Sequence, residues 1–341
     1  MNEFHQKFFD LAGRAQRVLL STHRDPDGDA IASLLAAYFL LIQKFPDKVI
    51  KMMVSSPIND RFKAFANFDK IESVADISDH LDEFDLLVFV DANFSGRFTD
   101  KVDHLNEFRG LKIAIDHHPY KNERFDLMLF DEQATSVSEI IYFNLLDLSQ
   151  AVPAELCKIL LMGLLADTGG LRYVRPDHAQ VYGMAEKLVR DGNIHVDELS
   201  SSINSYSQRV FLILQELIRN SRIKQIGDWP PFLYSFIAPA FVSSGGFTIL
   251  ETEEASGVFT DFLRSIDESS WGFVARNYGT TVKVSFRSRP GSVDVRRLTE
   301  NLDRGSGHPH SAGAKYENAD SREVVKNILL WLSQNSAELA P

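Results

Sequence analysis

The sequence predicts an α/β protein of two domains: a mostly parallel N-terminal sheet with helices on both faces, and a smaller C-terminal α/β domain. Three observations carry this expectation. Strand-like and helix-like apolar runs alternate as far as about Gly192, the pattern of a parallel sheet covered by helices. The 341 residues exceed the ~100–200 of a typical domain. A turn cluster, Gly227-Asp-Trp-Pro-Pro231, then opens a second series of short runs. The expected boundaries are 1–192 for the first domain, 193–226 for a linker with a connecting helix, and 227–341 for the second domain.

In chain order the first series reads Val18–Ser21, Ile31–Ile42, Val49–Val54, Leu86–Val90, Ile113–Ile115, Leu127–Phe130, Thr135–Leu148, Ala154–Ala166 and His178–Arg190. Short continuous apolar runs such as Leu86–Val90 fit buried strands, and the longer periodic ones fit helices. The connecting segment is polar at its start and carries one helical pattern, Arg209–Ser221. Beyond the turn cluster come strand-like Phe232–Ile237, helical Gly257–Ile266, paired runs Trp271–Arg276 and Thr281–Arg287 joined by Asn277-Tyr-Gly279, and helices near Val293–Leu302 and Val324–Leu332. A glycine-bearing turn between two alternating runs is a hairpin signal.

Composition narrows the function. Hydrophobic residues make up 44% and charged residues 24%, ordinary values for a globular protein. A formal net charge of −11 argues against coating long nucleic acid, which needs clustered Lys and Arg, but leaves room for a small phosphorylated ligand. The lone Cys157 sits in an apolar helical run and reads as a buried structural thiol. The longest apolar run is short of the ~20 residues that span a bilayer, so no membrane partner is expected and the cytoplasm is the default location.

The chemistry lies where apolar runs end. Arg17-Val-Leu-Leu-Ser-Thr22 runs into His23-Arg24-Asp25-Pro26-Asp27-Gly28-Asp29, so His23, Asp27 and Asp29 stand between a strand and a helix. Asp85-Leu-Leu-Val-Phe-Val90 ends at Asp91, Leu111-Lys-Ile-Ala-Ile115 ends at Asp116-His117-His118, and Leu160–Ala166 ends at Asp167-Thr168-Gly169-Gly170. In open α/β sheets ligands gather beyond the carboxyl ends of strands. Taken singly, each piece has an ordinary reading as a cap, turn or helix stop. Their joint occurrence points to a divalent-metal site, because imidazole and carboxylate together suit Mn²⁺, Mg²⁺ or Zn²⁺.

These residues resemble the DHH phosphoesterase superfamily. Its name-giving motif matches Asp116-His117-His118; its first motif matches His23-x-x-Pro26-Asp27-x-Asp29-Ala30, its second Asp91, and its fourth Asp167-Thr168-Gly169. A C-terminal DHH-associated domain is matched by Gly305-Ser306-Gly307-His308-Pro309-His310-Ser311-Ala312-Gly313, with Ser306 where the family usually has a third glycine. The subgroup most similar is the oligoribonuclease (nanoRNase)/pAp-phosphatase type, which degrades very short RNA, 3′-phosphoadenosine 5′-phosphate (pAp) and, in some members, linear or cyclic dinucleotides.

The resemblance implies an active site in a cleft between the domains and two divalent ions. One would be held by His23, Asp27 and Asp91, the other by Asp29, Asp91, His117 and Asp167. Mn²⁺ suits this set best, with Mg²⁺, Co²⁺ and Zn²⁺ compatible. A hydroxide between the two ions would attack phosphorus. Asp116 would orient an imidazole and His118 would touch the substrate phosphate or act as general acid. Arg287, Gly305, Ser306, Gly307, His308 and His310, with Arg172 a weaker candidate, would grip the rest of a short oligonucleotide or small nucleotide. Cyclic dinucleotide hydrolysis and a non-catalytic nucleotide-binding protein are the alternatives, and a homodimer is compatible with the sequence.

Overall fold

The computed structural model describes residues 3–119, 123–203, 205–302 and 305–339. The chain forms two compact units, Met1–Ser205 and Tyr206–Pro341. Among the described residues no helix is long and apolar enough to cross a membrane.

In the first unit the elements are α1 (Glu3–Arg14), β1 (Arg17–Thr22), α2 (Gly28–Lys44), β2 (Val49–Val54), β3 (Ile71–Ser73), β4 (Leu86–Val90), α3 (Val102–Glu107), β5 (Leu111–Asp116), β6 (Leu127–Phe130), α4 (Val137–Leu145), α5 (Ala154–Asp167), α6 (Gln180–Gly192) and α7 (Val196–Ile203). The six strands pair in parallel in the order β3-β2-β1-β4-β5-β6. The chain thus works outward from β1 to one edge, then returns to β4 and works outward to the other. The strand order reverses between β1 and β4, the place where open α/β sheets leave a crevice beyond their carboxyl ends.

Alternation along each strand divides the core. Val18 and Leu20 of β1, with Val88 and Val90 of β4, pack against the helical layer that includes Ile31, Leu34 and Leu35 of α2 and Leu160 of α5. Leu19, Leu87 and Phe89 point to the other face, where Ile77, Leu81, Phe98 and Leu105 cover them from short 3₁₀ turns and α3. Helices therefore cover both faces, but the long ones lie on one. The α1 helix was not legible as a strong periodic run; Phe8 and Ala12 are its buried anchors, and Lys48 Nζ donates to the carbonyl oxygens of Ala12, Gly13 and Ala15 near its end. Cys157 is buried, and burial pushes its thiol up to about 11, the behaviour of an unreactive core residue.

The second unit contains α8 (Gln208–Asn220), β7 (Arg222–Lys224), β8 (Phe232–Ile237), α9 (Pro239–Gly245), α10 (Ile249–Thr260), β9 (Trp271–Tyr278), β10 (Thr281–Ser288), α11 (Val295–Asn301), β11 (Gly305–His308), β12 (Ser311–Glu317) and α12 (Ser321–Gln334). Its sheet runs β11-β12-β10-β9-β8-β7, antiparallel except for β8 against β9. The hairpin turns at Gly279, whose φ of +64° belongs to the left-handed region. One face is aromatic, with Trp229, Phe232, Trp271, Phe273 and Phe286 buried beneath α11 and α12. The other packs Leu233, Ile237 and Val274 against Val210, Ile213 and Leu217 of α8 and Ala255 and Phe259 of α10.

The segment 193–226, read from sequence as a linker, is divided between the units. Leu199 of α7 joins the first core, whereas α8 contributes the apolar stripe just named to the second. The helix expected over 257–266 begins earlier, at Ile249, where Thr248 and Glu251 form a reciprocal capping box.

Three helices meet at Gly163 of α5. A Cβ there would lie 2.0 Å from Ser138 Oγ, 2.5 Å from Asp29 Oδ1 and 2.8 Å from Ala32 Cβ. Gly163→Ala is therefore expected to lose about 1–3 kcal/mol by overpacking. Gly183→Ala on α6, where nothing lies within 4 Å, should instead gain about 0.5–1 kcal/mol. Urea unfolding of the two variants checks the contrast, and equal midpoints would show that α2, α4 and α5 do not touch as closely as described.

Candidate metal centre

The carboxyl ends of three adjacent strands supply most of the site. His23 follows β1, Asp91 follows β4, and Asp116 closes β5 with His117 and His118 next in line. Asp27 and Asp29 enter from the start of α2, and Asp167 from the last residue of α5. Every one of the six residues expected to hold metal falls into one connected cluster. Three groups each bring their ligand atoms within 4.8 Å of one another: His23, Asp27 and Asp91; Asp29, His117 and Asp167; and Asp91, His117 and His118.

Asp91 joins these groups. Its Oδ2 lies 3.4 Å from His23 Nε2, and its Oδ1 lies 3.5 Å from His117 Nε2 and 3.4 Å from His118 Nδ1. His117 Nε2 is also 3.2 Å from Asp167 Oδ2. The Asp91 backbone is left-handed, with φ of +60°, a conformation that aspartate tolerates better than most residues but still at a cost. Its N–H nevertheless continues the ladder by donating to Ile115 O at 2.9 Å.

Local chemistry explains how the other ligands are held. Asp27 is the N-cap of α2: its Oδ1 accepts from the backbone N–H groups of Asp29 and Ala30, both at 3.1 Å. Asp29 is buried, and its carboxylate accepts from the first N–H groups of α4, Val137 at 2.6 Å and Ser138 at 3.1 Å, as well as from Ser138 Oγ at 2.6 Å. A helix N-terminus suits that negative charge. Asp167 stands at a helix C-terminus, the wrong end for an anion, and His117 offsets it.

The two imidazoles that face the cluster have their tautomers set by backbone. His23 Nδ1 lies 2.8 Å from Arg24 O and His117 Nδ1 lies 3.1 Å from Ala134 O, so both donate there and present Nε2 to the carboxylates. Asp116 serves the third: its Oδ1 is 2.9 Å from His118 Nδ1 and accepts the backbone N–H groups of His117 and His118. Burial works to raise the Asp116 carboxyl, but these hydrogen bonds and the imidazole charges hold it below its ordinary value.

The donor set fits divalent metal. His23 Nε2 and Asp91 Oδ1 are buried polar atoms with no hydrogen-bond partner among the described residues, an arrangement that costs energy unless something else satisfies them. Burial drives the Asp91 carboxyl well above the usual range, and the charges of Asp27 and Asp29 push the same way. Burial, and then the charge of Asp167, push Asp29 up to about 7. Burial works against charge on His117, but Asp167, Asp91 and Asp29 carry it well above the usual imidazole value. A cation among these groups would reverse that logic.

Sequence reasoning missed several neutral or distant partners. Asn93 Nδ2 donates to Asp116 Oδ2 and, at 2.9 Å, to His118 O, which ties the β4 end to the Asp-His-His segment. Its only sequence signal is its place two residues after Asp91. Ser138 grips Asp29 across more than a hundred residues. Arg97 lies on the turn after β4, where its carbonyl accepts the N–H of Arg24 at 2.8 Å; burial, then the charge of Arg97, lower His23 to about 4.

The residues expected to bind the remainder of the substrate separate by unit. Arg172 lies just beyond Asp167, its Nε donating to Gly169 O at 2.6 Å. Arg287, His308 and His310 gather at one end of the second sheet: Arg287 and His308 both pair with Ser311, and Ser288 N–H donates to His310 O at 3.1 Å. The glycine segment is the edge strand β11, in which Ser306 pairs with Gly313. The Ser306 side chain lies outside the described residues. Glycine is required at Gly305 because a Cβ there would come within 1.8 Å of Gly313 O.

The sign of the pH dependence without metal follows from these shifts. Asp29 and His117 have folded pKa values raised above their unfolded ones, so their contribution is present at lower pH and is lost as pH rises through the folded values. His23, lowered from 6.5 to about 4, acts oppositely, but its gain is complete near pH 6.5. Above that pH the EDTA-treated protein is expected to lose thermal stability as pH rises. The increase in unfolding temperature on adding Mn²⁺ should grow over the same range, because ligands must be deprotonated. Asp91→Asn should raise the metal-free midpoint and abolish the Mn²⁺-induced shift. A metal-free midpoint that climbs above pH 6.5, or a full Mn²⁺ shift in Asp91→Asn, would contradict the assignment.

The comparisons agree with this geometry. Residues 17–164 match the model of the DHH family, N-terminal domain. The probable bifunctional oligoribonuclease and PAP phosphatase NrnA of Streptococcus mutans is 25% identical over 316 residues, covering 92% of this chain and 94% of the relative. The bifunctional oligoribonuclease and PAP phosphatase NrnA of Thermus thermophilus is 27% identical over 314 residues, covering 92% and 88%. Among solved structures, an exopolyphosphatase-related protein from Bacteroides fragilis superposes with a TM-score of 0.81 at 20% identity, covering 97% of this chain and 96% of that one. RecJ from Thermus thermophilus in complex with Mn²⁺ gives 0.56 at 13% identity, covering 98% and 55%. These likenesses carry the fold, and the segment similar to the DHH family, N-terminal domain, is the one that holds His23, Asp27, Asp29, Asp91, Asp116, His117 and His118.

Proposed function

We propose that this protein hydrolyses the phosphoester bonds of very short oligoribonucleotides and of pAp. The observation that carries the reading is the placement of Asp91, shared by metal-competent groups on either side. It is supported by relatives named for both activities that align over about nine-tenths of the chain. His23, Asp27 and Asp91 would hold one divalent cation, and Asp29, Asp91, His117 and Asp167 the other, with Mn²⁺ the best match to the ligand set. When bound, the cations supply Lewis acidity and lower the pKa of water towards neutrality.

The chain's own residues supply the rest. His118 is partly exposed beside the cluster, and its Nδ1–H donation to Asp116 places the exchangeable proton at Nε2, suited to a leaving nucleoside oxygen. Asp116, locked by Asn93 and by two backbone N–H groups, fixes the ring's orientation. Asp116 is thus a positioning residue. Arg287, His308 and His310, with the edge strand β11, would bind a non-reacting phosphate of the substrate, so that remote binding energy can lower the barrier. The net charge of −11 fits a ligand short enough to be held by a few such groups.

The direct test is product analysis with Mn²⁺ and with EDTA on pAp, pApA, a five-nucleotide RNA, a 24-nucleotide RNA, cyclic di-AMP and pyrophosphate. Metal-dependent release of mononucleotide favouring the shortest substrates is expected. Exclusive turnover of cyclic di-AMP would move the assignment to a cyclic dinucleotide phosphodiesterase, and no turnover with metal bound would leave a nucleotide-binding protein. In the same assay His118→Gln should lower kcat by about 10²–10⁴-fold and Asn93→Ala by about 10–100-fold, with little change in KM. Arg287→Ala should reduce turnover of pApA more than that of bis(p-nitrophenyl) phosphate, and equal losses would remove it from the substrate clamp.

A further inference from the structure

We infer that Tyr173 is the platform on which the base of the reacting nucleotide stacks, an inference that rests on the phosphoesterase reading above. The loop after α5 is built in an unusual way. Gly169, Gly170 and Leu171 have φ values of +57°, +70° and +68°, three successive left-handed residues, the last of them not glycine. Such a backbone is costly for Leu171 and persists only where its surroundings fix it.

Here they do. Thr168 Oγ1 donates to Leu164 O at 2.5 Å and accepts the N–H of Leu171 at 2.9 Å. Gly170 N–H donates to Leu165 O at 2.8 Å, and Tyr182 Oη donates to Leu171 O at 3.2 Å. The N–H of Tyr173 donates to Thr168 O at 3.0 Å, which folds the chain back towards Asp167.

The result is an aromatic ring held beside the cluster. Tyr173 packs so closely on Gly169, two residues beyond Asp167, that a Cβ there would lie 2.4 Å from the ring. Tyr173 is nonetheless 43% exposed, and the Arg172 guanidinium lies over its ring, 5.5 Å from the centroid. Burial also shows which side of the cluster solvent reaches. The Asp91 side chain is 1% exposed, whereas those of Asp167 and His118 are 23% and 27% exposed. Solvent reaches the cluster at Asp27 and also at Asp167 and His118, so a substrate can approach past Asp167, on the loop that carries Tyr173. A partly exposed tyrosine on a braced loop, with a guanidinium over its ring, suits a nucleobase: stacking tolerates any base, and the neighbouring arginine favours the phosphate that accompanies it.

The test compares pAp with ribose 3,5-bisphosphate, which keeps both phosphates and lacks the base. The ratio of their kcat/KM values should fall about tenfold or more in Tyr173→Leu and stay near the wild-type ratio in Tyr173→Phe, which keeps the ring. An unchanged ratio in Tyr173→Leu, equal losses on both substrates, or a Tyr173→Phe ratio as low as that of Tyr173→Leu would overturn the platform, the last by placing the effect on the hydroxyl. Each of those outcomes leaves the phosphoesterase reading standing, whereas a wild-type protein that turns over neither compound would remove that reading and the inference with it.

Discussion

The structure turns on like charges forced together. Asp27, Asp29, Asp91 and Asp167 reach one small volume, and Asp91 in its midst is 1% exposed. Buried carboxylates at such separations cannot all ionise without a compensating cation. The fold moderates the conflict by giving each group its own partner. Asp27 takes the N–H groups of α2, Asp29 those of α4, and Asp167 takes His117. Asp91 keeps a buried oxygen with no hydrogen-bond partner among the described residues. Asp91 belongs to two of the three metal-competent groups, so the geometry of the first unit is organised around a carboxylate whose charge both burial and its acidic neighbours oppose.

The ordinary and the chemical readings of these residues hold together. Asp27 is a helix cap, as Asp before a helix commonly is, and capping occupies only its Oδ1. Thr168, Gly169 and Gly170 are a helix stop, and Asp167, the last residue of that helix, faces His117. His117 is bonded structurally through Nδ1, and that bond is what turns Nε2 inward. A carboxylate has about four lone-pair sites and an imidazole two nitrogens. One set can therefore be used to fix position while the other faces the reaction. Rigid ligands need such double use, since a ligand held by nothing else would lose its orientation whenever the cation left.

What was legible in the sequence follows the same physics. The strands β1, β4 and β5 are buried on both faces, so they appear as unbroken apolar runs, and the His and Asp residues just past them stand out. Their gathering into one cluster was legible because charge after an apolar run is conspicuous. Asn93, Ser138 and Arg97 were not, since a single Asn, Ser or Arg has no periodic signature and gains meaning only when the chain folds back over it. The glycine segment misled in a different way. Gly305 and Gly307 look like a flexible loop, yet they are strand residues whose missing Cβ lets β12 approach. The connecting segment 193–226 is polar only at its start, and its helical pattern, Arg209–Ser221, was legible because α8 buries one apolar side.

Under the proposed function, net charge and site charge have to be reconciled with an anionic substrate. A chain at −11 repels a long polyphosphate at a distance, and the carboxylate cluster repels it further at close range. Binding can be favourable only where cations invert the local sign, which confines attraction to the immediate neighbourhood of bound metal and of a few arginines. The energy gained there is fixed by the groups in contact and does not grow with chain length, whereas repulsion from the rest of the surface does. Preference for short substrates can thus arise from electrostatics alone, before any steric limit is imposed. A basic groove, which would favour long strands, would undo that discrimination even with every ligand in place.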